Sequence, residues 1–262
     1  MTINFCVKGR LGNAIFRYMA CVVICIITNN KYNHFPNGSN KMTDEQFFEI
    51  STKILNGEKL NLQIENCNMS EYYQHDQIYI FFKQQIINFV KNNPSHIITT
   101  DGISAGDNNC QSFKIFDIVN TSAVFKKKYK NVLHLRLEDF VIHNLHIPVE
   151  RIIKLLSKNI ITDDICIVCK HPTTDFENNY IQTIKTFIQN QTPGIKIIIE
   201  HNDILTDYYI MKEAETLICS KSTLSWCAAF FSTTIKACFL PDYVEQPKIM
   251  TCKKPIHNTI LY

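Results

Sequence analysis

Apolar positions in the second half of the chain fall into short runs of four to six residues, separated by longer amphipathic segments, a rhythm that predicts strand and helix in alternation. Strands are expected over residues 132–137, 165–170, 195–200, 216–219 and 235–240, the last ended by Pro241. Helices are expected between them over 148–159, 176–189, 207–214 and 222–231. Five strands joined through helices predict a parallel, doubly wound sheet. The first half is less regular. Residues 2–8 read as an opening strand, 9–12 as a glycine turn and 13–28 as an amphipathic or buried helix; helices follow at 43–55 and 77–91 and a short strand at 95–100. Thr43-Asp44-Glu45-Gln46 has the spacing of a capping box. The Gly/Asn-rich loop 101–111 and the lysine run Lys126-Lys127-Lys128-Tyr129-Lys130 then divide the chain into an α/β domain over 1–125, a second α/β domain over 126–245, and a tail over 246–262.

Composition narrows the function classes. At 262 residues and 45% apolar content the chain can build sizeable cores. A net charge of +3 and one lysine run carrying a single tyrosine argue against a nucleic-acid-binding protein. Eleven cysteines lack any paired zinc-knuckle spacing. Cys166 and Cys169 lie in a strand pattern that points them to opposite faces, and Cys21 and Cys25 have helical core spacing. The longest apolar run, residues 19–27, is too short for a transmembrane segment, and no signal peptide precedes the first strand, so a soluble protein of a reducing, cytoplasmic compartment is expected.

Three places carry candidate chemistry. In Val132-Leu133-His134-Leu135-Arg136-Leu137-Glu138-Asp139, His134 and Arg136 share one face of the expected strand. A guanidinium there needs either Asp139 or an anionic ligand such as phosphate, and both readings are open. Gly9-Arg10-Leu11-Gly12-Asn13 sits between strand and helix, where backbone can approach a ligand closely or simply turn. Leu217-Ile218-Cys219-Ser220-Lys221-Ser222-Thr223-Leu224-Ser225-Trp226 is a second strand-to-helix junction. Its hydroxyls and lysine suit a diphosphate or an ordinary N-cap.

Together, the segments Gly9 to Tyr18, His134 to Asp139 and Cys219 to Trp226 resemble, in order and approximate spacing, the alpha-1,2-fucosyltransferase family, whose patterns run G-x-L-G-N-Q-x-F-x-Y, H-x-R-R-G-D and S-N-S-T-F-S-W-W. The first two are also similar to those of alpha-1,6-fucosyltransferases and protein O-fucosyltransferases, and Asp207-Tyr208-Tyr209-Ile210-Met211 resembles the family's acidic D-x-x-x-M segment.

The resemblance implies a GT-B glycosyltransferase: two Rossmann-like domains with a nucleotide-sugar cleft between them, the acceptor side in the N-terminal one. It implies an inverting displacement with no metal and no cofactor. The partners implied are a nucleotide-sugar donor, GDP-fucose or another, and a glycan acceptor. Arg136 would clamp the donor's β-phosphate, with Asn13 the other catalytic candidate. His134, Ser222, Thr223, Gly9, Gly12 and Asp207 would serve donor binding. Asp139, Glu138, Ser225 and Trp226 are structural or unassigned, and Glu138, Asp101 and Glu200 are low-ranked candidates for the acceptor's base. The chain departs from the pattern at, among others, Ala14 for Gln, Leu137 for the second Arg, Glu138 for Gly, Lys221 for Asn and Cys227 for the second Trp. These leave open another donor, such as UDP- or GDP-linked xylose or deoxyhexose, or a catalytically silent protein that binds a glycan or a nucleotide sugar.

Overall fold

The computed structural model describes residues 4–7, 10–29, 40–59, 67–69, 71–100, 110–120, 127–242 and 255–262. They form two compact units, Met1–Thr121 and Ser122–Tyr262.

The first unit is built around one long helix. Strand β1 (Asn4–Val7) leads into α1 (Leu11–Ile27), whose residues from Leu11 to Ile24 are buried on nearly every side. A helix apolar all round is a core element and not a surface one. β2 (Asn40–Lys41) precedes α2 (Asp44–Leu55), which starts at the expected capping box: the Gln46 amide donates to Thr43 Oγ1 and the Thr43 amide to Gln46 Oε1. β3 (Cys67–Asn68) pairs with β2. The helix expected over 77–91 is two helices, α3 (Asp76–Phe81) and α4 (Lys83–Asn92). The break turns Phe82 inward, 4% exposed, while Phe81 stays 53% exposed. β4 (Ile97–Thr100) lies parallel to β1 and antiparallel to β5 (Ser112–Lys114), and α5 (Ile115–Asn120) closes the unit.

The second unit is a layered α/β domain. In chain order it runs β6 (Asn131–His134), α6 (Glu138–Ile142), α7 (Val149–Leu156), β7 (Ile165–Val168), α8 (Asp175–Gln191), β8 (Ile197–Glu200), α9 (Ile204–Lys212), β9 (Thr216–Ile218), α10 (Thr223–Phe231), β10 (Ala237–Leu240) and β11 (Thr259–Leu261). The sheet has six strands in the order β8-β7-β6-β9-β10-β11, and every neighbouring pair is parallel. β6 and β7 are buried along their length, as strands covered on both faces must be. On one face Ile152, Leu155 and Leu156 of α7 and Tyr180, Ile184 and Ile188 of α8 pack on Leu133, Ile165 and Ile167. The expected tail supplies the sixth strand. Arg151 holds its end through Nη2 donated to the carbonyls of Tyr262 (2.5 Å) and Asp242 (3.3 Å), while the Tyr262 hydroxyl donates to the Cys219 carbonyl (2.8 Å).

Two junctions differ from expectation in ways that bear on the site. The first expected strand of this domain, 132–137, ends at His134, with one further ladder bond from the Leu135 amide to the Val168 carbonyl. Leu137 (φ −103°, ψ −99°) and Glu138 (φ +34°) then turn the chain into α6, so Arg136 lies on a loop and strand parity does not relate it to His134. In the first unit the helix begins at Leu11, so Gly12 and Asn13 belong to its first turn and not to a glycine loop.

Candidate functional site at the sheet's switch point

The chain leaves β6 toward β7 and β8, then returns to place β9 on β6's other side. In open parallel sheets that reversal opens a crevice beyond the carboxyl ends of the two central strands, and ligands collect there. The residues beyond β6 are Leu135 to Asp139, and those beyond β9 are Cys219 to Ser222. Two segments far apart in sequence are thereby neighbours: Ser220 Oγ lies 2.9 Å from His134 Nδ1 across 86 residues.

His134 is 8% exposed, and burial, reinforced by the nearby Arg136 guanidinium, lowers its pKa to about 3. It is therefore a neutral imidazole at any working pH, fitted to hold a hydroxyl rather than to carry charge.

Arg136 satisfies both sequence readings in part. Nη2 reaches Asp139 Oδ2 at 3.3 Å, so the structural ion pair exists, and Cζ sits 4.3 Å from the centre of the Phe140 ring. The Asp139 side chain is 36% exposed and that of Arg136 17%, so the pair is partly buried and open to water on the Asp139 side. An anion can share or replace such a partner. Arg136, Leu137, Phe140, Ser220 and Lys221 line one small cavity of about 10 Å³, room for roughly a single water.

The strained turn next to Arg136 is held from below. The Glu138 amide donates to Glu177 Oε1 at 2.9 Å, and Glu177 Oε2 accepts from the amides and hydroxyls of Thr173 and Thr174. Glu177 is 4% exposed; burial pushes its carboxyl up, but these donors prevail and hold it below the usual range. The signal was in the sequence. Thr174-Asp175-Phe176-Glu177 has capping-box spacing, and the expected helix beginning at residue 176 started just past it. Glu138's own carboxylate meets Lys170 at 3.2 Å.

At the other junction Ser222 is the N-cap of α10, its Oγ accepting from the Leu224 amide at 3.2 Å. Thr223 opens the helix and is only half-buried. Ser225 donates to the Ser222 carbonyl, and Trp226, fully buried, stacks on Phe230 with ring centres 5.1 Å apart, so both are structural. Ser220, which the sequence offers either as a diphosphate-facing hydroxyl or as an N-cap, lies against His134.

The remaining expected residues fall elsewhere. Asp207, on α9, accepts from Asn202 Nδ2 at 3.1 Å and keeps company with Glu200, Cys166 and Cys169; it does not line the cavity. Burial raises its pKa to about 7, against the Asn202 bond. Glu200 makes a poor base: burial raises its carboxyl, but Tyr129, Lys127 and Asn202 more than offset that and lower it. Asp101 and Gly9 lie outside the described residues.

In the first unit, Gly12 is buried and Asn13 half-buried at the start of α1. The residues after them are packing groups. Phe16 meets Tyr79 edge-on, Arg17 Nε donates to the Glu71 carbonyl (2.7 Å), and Tyr18's hydroxyl lies 3.0 Å from His96 Nδ1.

Among the described residues no three His, Cys, Asp or Glu side chains form a group able to hold a metal ion. Eight described cysteines are free thiols; burial pushes Cys169 up to about 12 and Cys166 higher. No described helix is long and apolar enough to cross a membrane. No protein-family model, curated protein or solved structure matches the chain.

The class defined by strand order is a Rossmann-like α/β domain with polar loops gathered at its switch point. What those loops bind is a matter of their chemistry.

Proposed function

We propose that the chain is a GT-B glycosyltransferase that transfers fucose or a related sugar from a nucleotide-diphosphate donor to an oligosaccharide or glycoprotein glycan. The observation that carries the reading is the 2.9 Å contact of Ser220 with His134 at the switch point. It brings two of the three segments that resemble the fucosyltransferases to the one place in this sheet where a nucleotide's phosphates are expected. In the reaction an acceptor hydroxyl oxygen attacks the anomeric carbon and gives up its proton to solvent, the bond from that carbon to the β-phosphate oxygen breaks, and its electron pair leaves with the diphosphate. Arg136 meets that developing charge, with the amides that open α10 beside it. His134, neutral and paired with Ser220, holds the loop and the nucleotide in position. Leu137, 6% exposed within the apolar cluster, offers the donor no second guanidinium, so the base and sugar preferred can differ from those of GDP-fucose.

Calorimetric titration with GDP, UDP and GDP-fucose, on wild type and Arg136→Ala, tests the reading. The variant should stay folded, because it loses a single ion-pair contact of 3.3 Å and a cation–π contact of about 0.5–2 kcal/mol. It should lose diphosphate binding, and turnover should fall by a factor of order 10²–10³, the effect of removing one oxyanion donor. Unchanged turnover in a folded Arg136→Ala protein would make Arg136 structural. No binding of any of the three nucleotides to wild type would overturn the reading itself.

A further inference from the structure

Strand β8 is one edge of the six-stranded sheet, and among the described residues only its β7 side is occupied. The Ile165 amide donates to the Lys196 carbonyl and the Cys169 amide to the Glu200 carbonyl, so the parallel register turns the main-chain groups of Lys196, Ile198 and Glu200 toward β7. Those of Ile197 and Ile199 therefore face outward, and no described residue meets them. Proteins normally blunt such an edge with a proline, a bulge or a lysine within the strand, because it invites another strand to pair. Here the edge is Ile197-Ile198-Ile199, half-buried throughout, with Lys196 before it and Glu200 at its end. The opposite edge, β11, is three residues long, Thr259-Ile260-Leu261, and carries no charge.

We infer that the β8 edge is the seat of a second copy of this chain, the two β8 strands pairing antiparallel about a two-fold axis at Ile198. Two copies of one edge make a closed, self-complementary contact. With the axis there, Ile197 of one copy stands opposite Ile199 of the other and exchanges both main-chain bonds with it, since these are the residues whose groups point outward. The same register sets Lys196 of each copy opposite Glu200 of the other, on one face of the joined sheet. Lys196 is exposed and its ammonium has no partner among the described residues. Glu200 accepts from Lys127 Nζ at 2.9 Å and from Tyr129, and a carboxylate has lone pairs for a further cation. An axis at Ile197 or Ile199 would preserve the main-chain bonds but lose this opposition of charge, so the charges select the register. A strand of four residues buries little area, so the dimer is weak and dissociates on dilution.

Sedimentation equilibrium of the full chain, without ligand and at concentrations up to its solubility limit, reads the outcome. Wild type should pass reversibly from monomer to dimer as concentration rises. Lys196→Glu sets a carboxylate opposite Glu200 twice in the symmetric contact and should raise the dimer dissociation constant by about tenfold or more. Ile197→Pro removes an outward-facing amide at the first position of the strand, where the ladder to β7 loses no bond, and should leave a monomer. A wild-type melting profile at low concentration shows each variant folded, and Lys196→Glu, a change at an exposed side chain, carries the test if the proline variant does not fold. A folded variant of either kind that dimerises like wild type overturns the inference. So does a wild-type chain that stays monomeric, or one that grows past the dimer, as a head-to-tail pairing of β8 with β11 would.

Discussion

Replacing Glu138 by Gly, and separately by Ala, probes the turn that aims Arg136. Glu138 has φ +34°, a left-handed conformation in which Cβ crowds the neighbouring carbonyl at a cost of roughly 1–2 kcal/mol for any residue but glycine. Its side chain meets Lys170 at 3.2 Å, where Lys170 is 62% exposed; such a pair contributes about 0–1 kcal/mol. Both variants lose that pair, so their comparison isolates the backbone. Ala retains the crowding. Gly relieves it, but makes the unfolded chain freer at a cost of about 0.5–1 kcal/mol. Glycine should therefore be the more stable of the two by about 0.5–1 kcal/mol, the reverse of the order found in an ordinary helix. The bond from the residue-138 amide to Glu177 survives in both, because it is a backbone donor. Urea unfolding followed by fluorescence reads the right unit, since the chain's one tryptophan, Trp226, is buried in the second. If the Ala variant equals or exceeds the Gly variant, the turn is not strained at residue 138 and the account of how Arg136 is presented fails.

A second expectation concerns pH. Burial raises the Asp207 carboxyl from 3.8 to about 7, so between about pH 4 and pH 7 the folded protein holds a proton that the unfolded chain has released, and the stability this group contributes falls as pH rises through that window. Asp207→Asn should remove that part of the pH dependence and be more stable than wild type at pH 8 but not at pH 4; parallel stability profiles for the two proteins would refute it. A third concerns metal: because the proposed site relies on Arg136 for positive charge, GDP affinity should be unchanged by excess EDTA, and a loss reversed by manganese would show that the phosphates are met by an ion instead.

Much of the second unit could be read from one dimension. Strands and helices alternate there because buried parallel strands are continuous apolar runs and the helices between them carry apolar residues at turn spacing, as in Ile152, Leu155 and Leu156. The capping box at Thr43 is equally local, since its donors and acceptors lie three residues apart. β11 escaped notice because three residues at a sheet edge carry little pattern; they are a strand only because Leu240 and its neighbours offer a ladder, and because Arg151 binds the carbonyls at the end.

The candidate site divides the same way. Its residue types were visible in sequence: a histidine and an arginine at the end of one strand, and hydroxyls with a lysine after another. The sequence alone could not say that these segments meet, because adjacency of β6 and β9 is set by strand order, a property of long-range pairing with no local signature. Nor could it say that Arg136 lies past the strand's end, since extending an apolar alternation through residue 137 is locally as good as turning at 135. The turn is decided by Glu177, brought from α8 to accept the Glu138 amide. Local propensity thus determined which segments are strand and helix and which carry polar chemistry; the tertiary structure decided which chemistry is brought together, because hydrogen-bond partners and burial come from residues far apart in the chain.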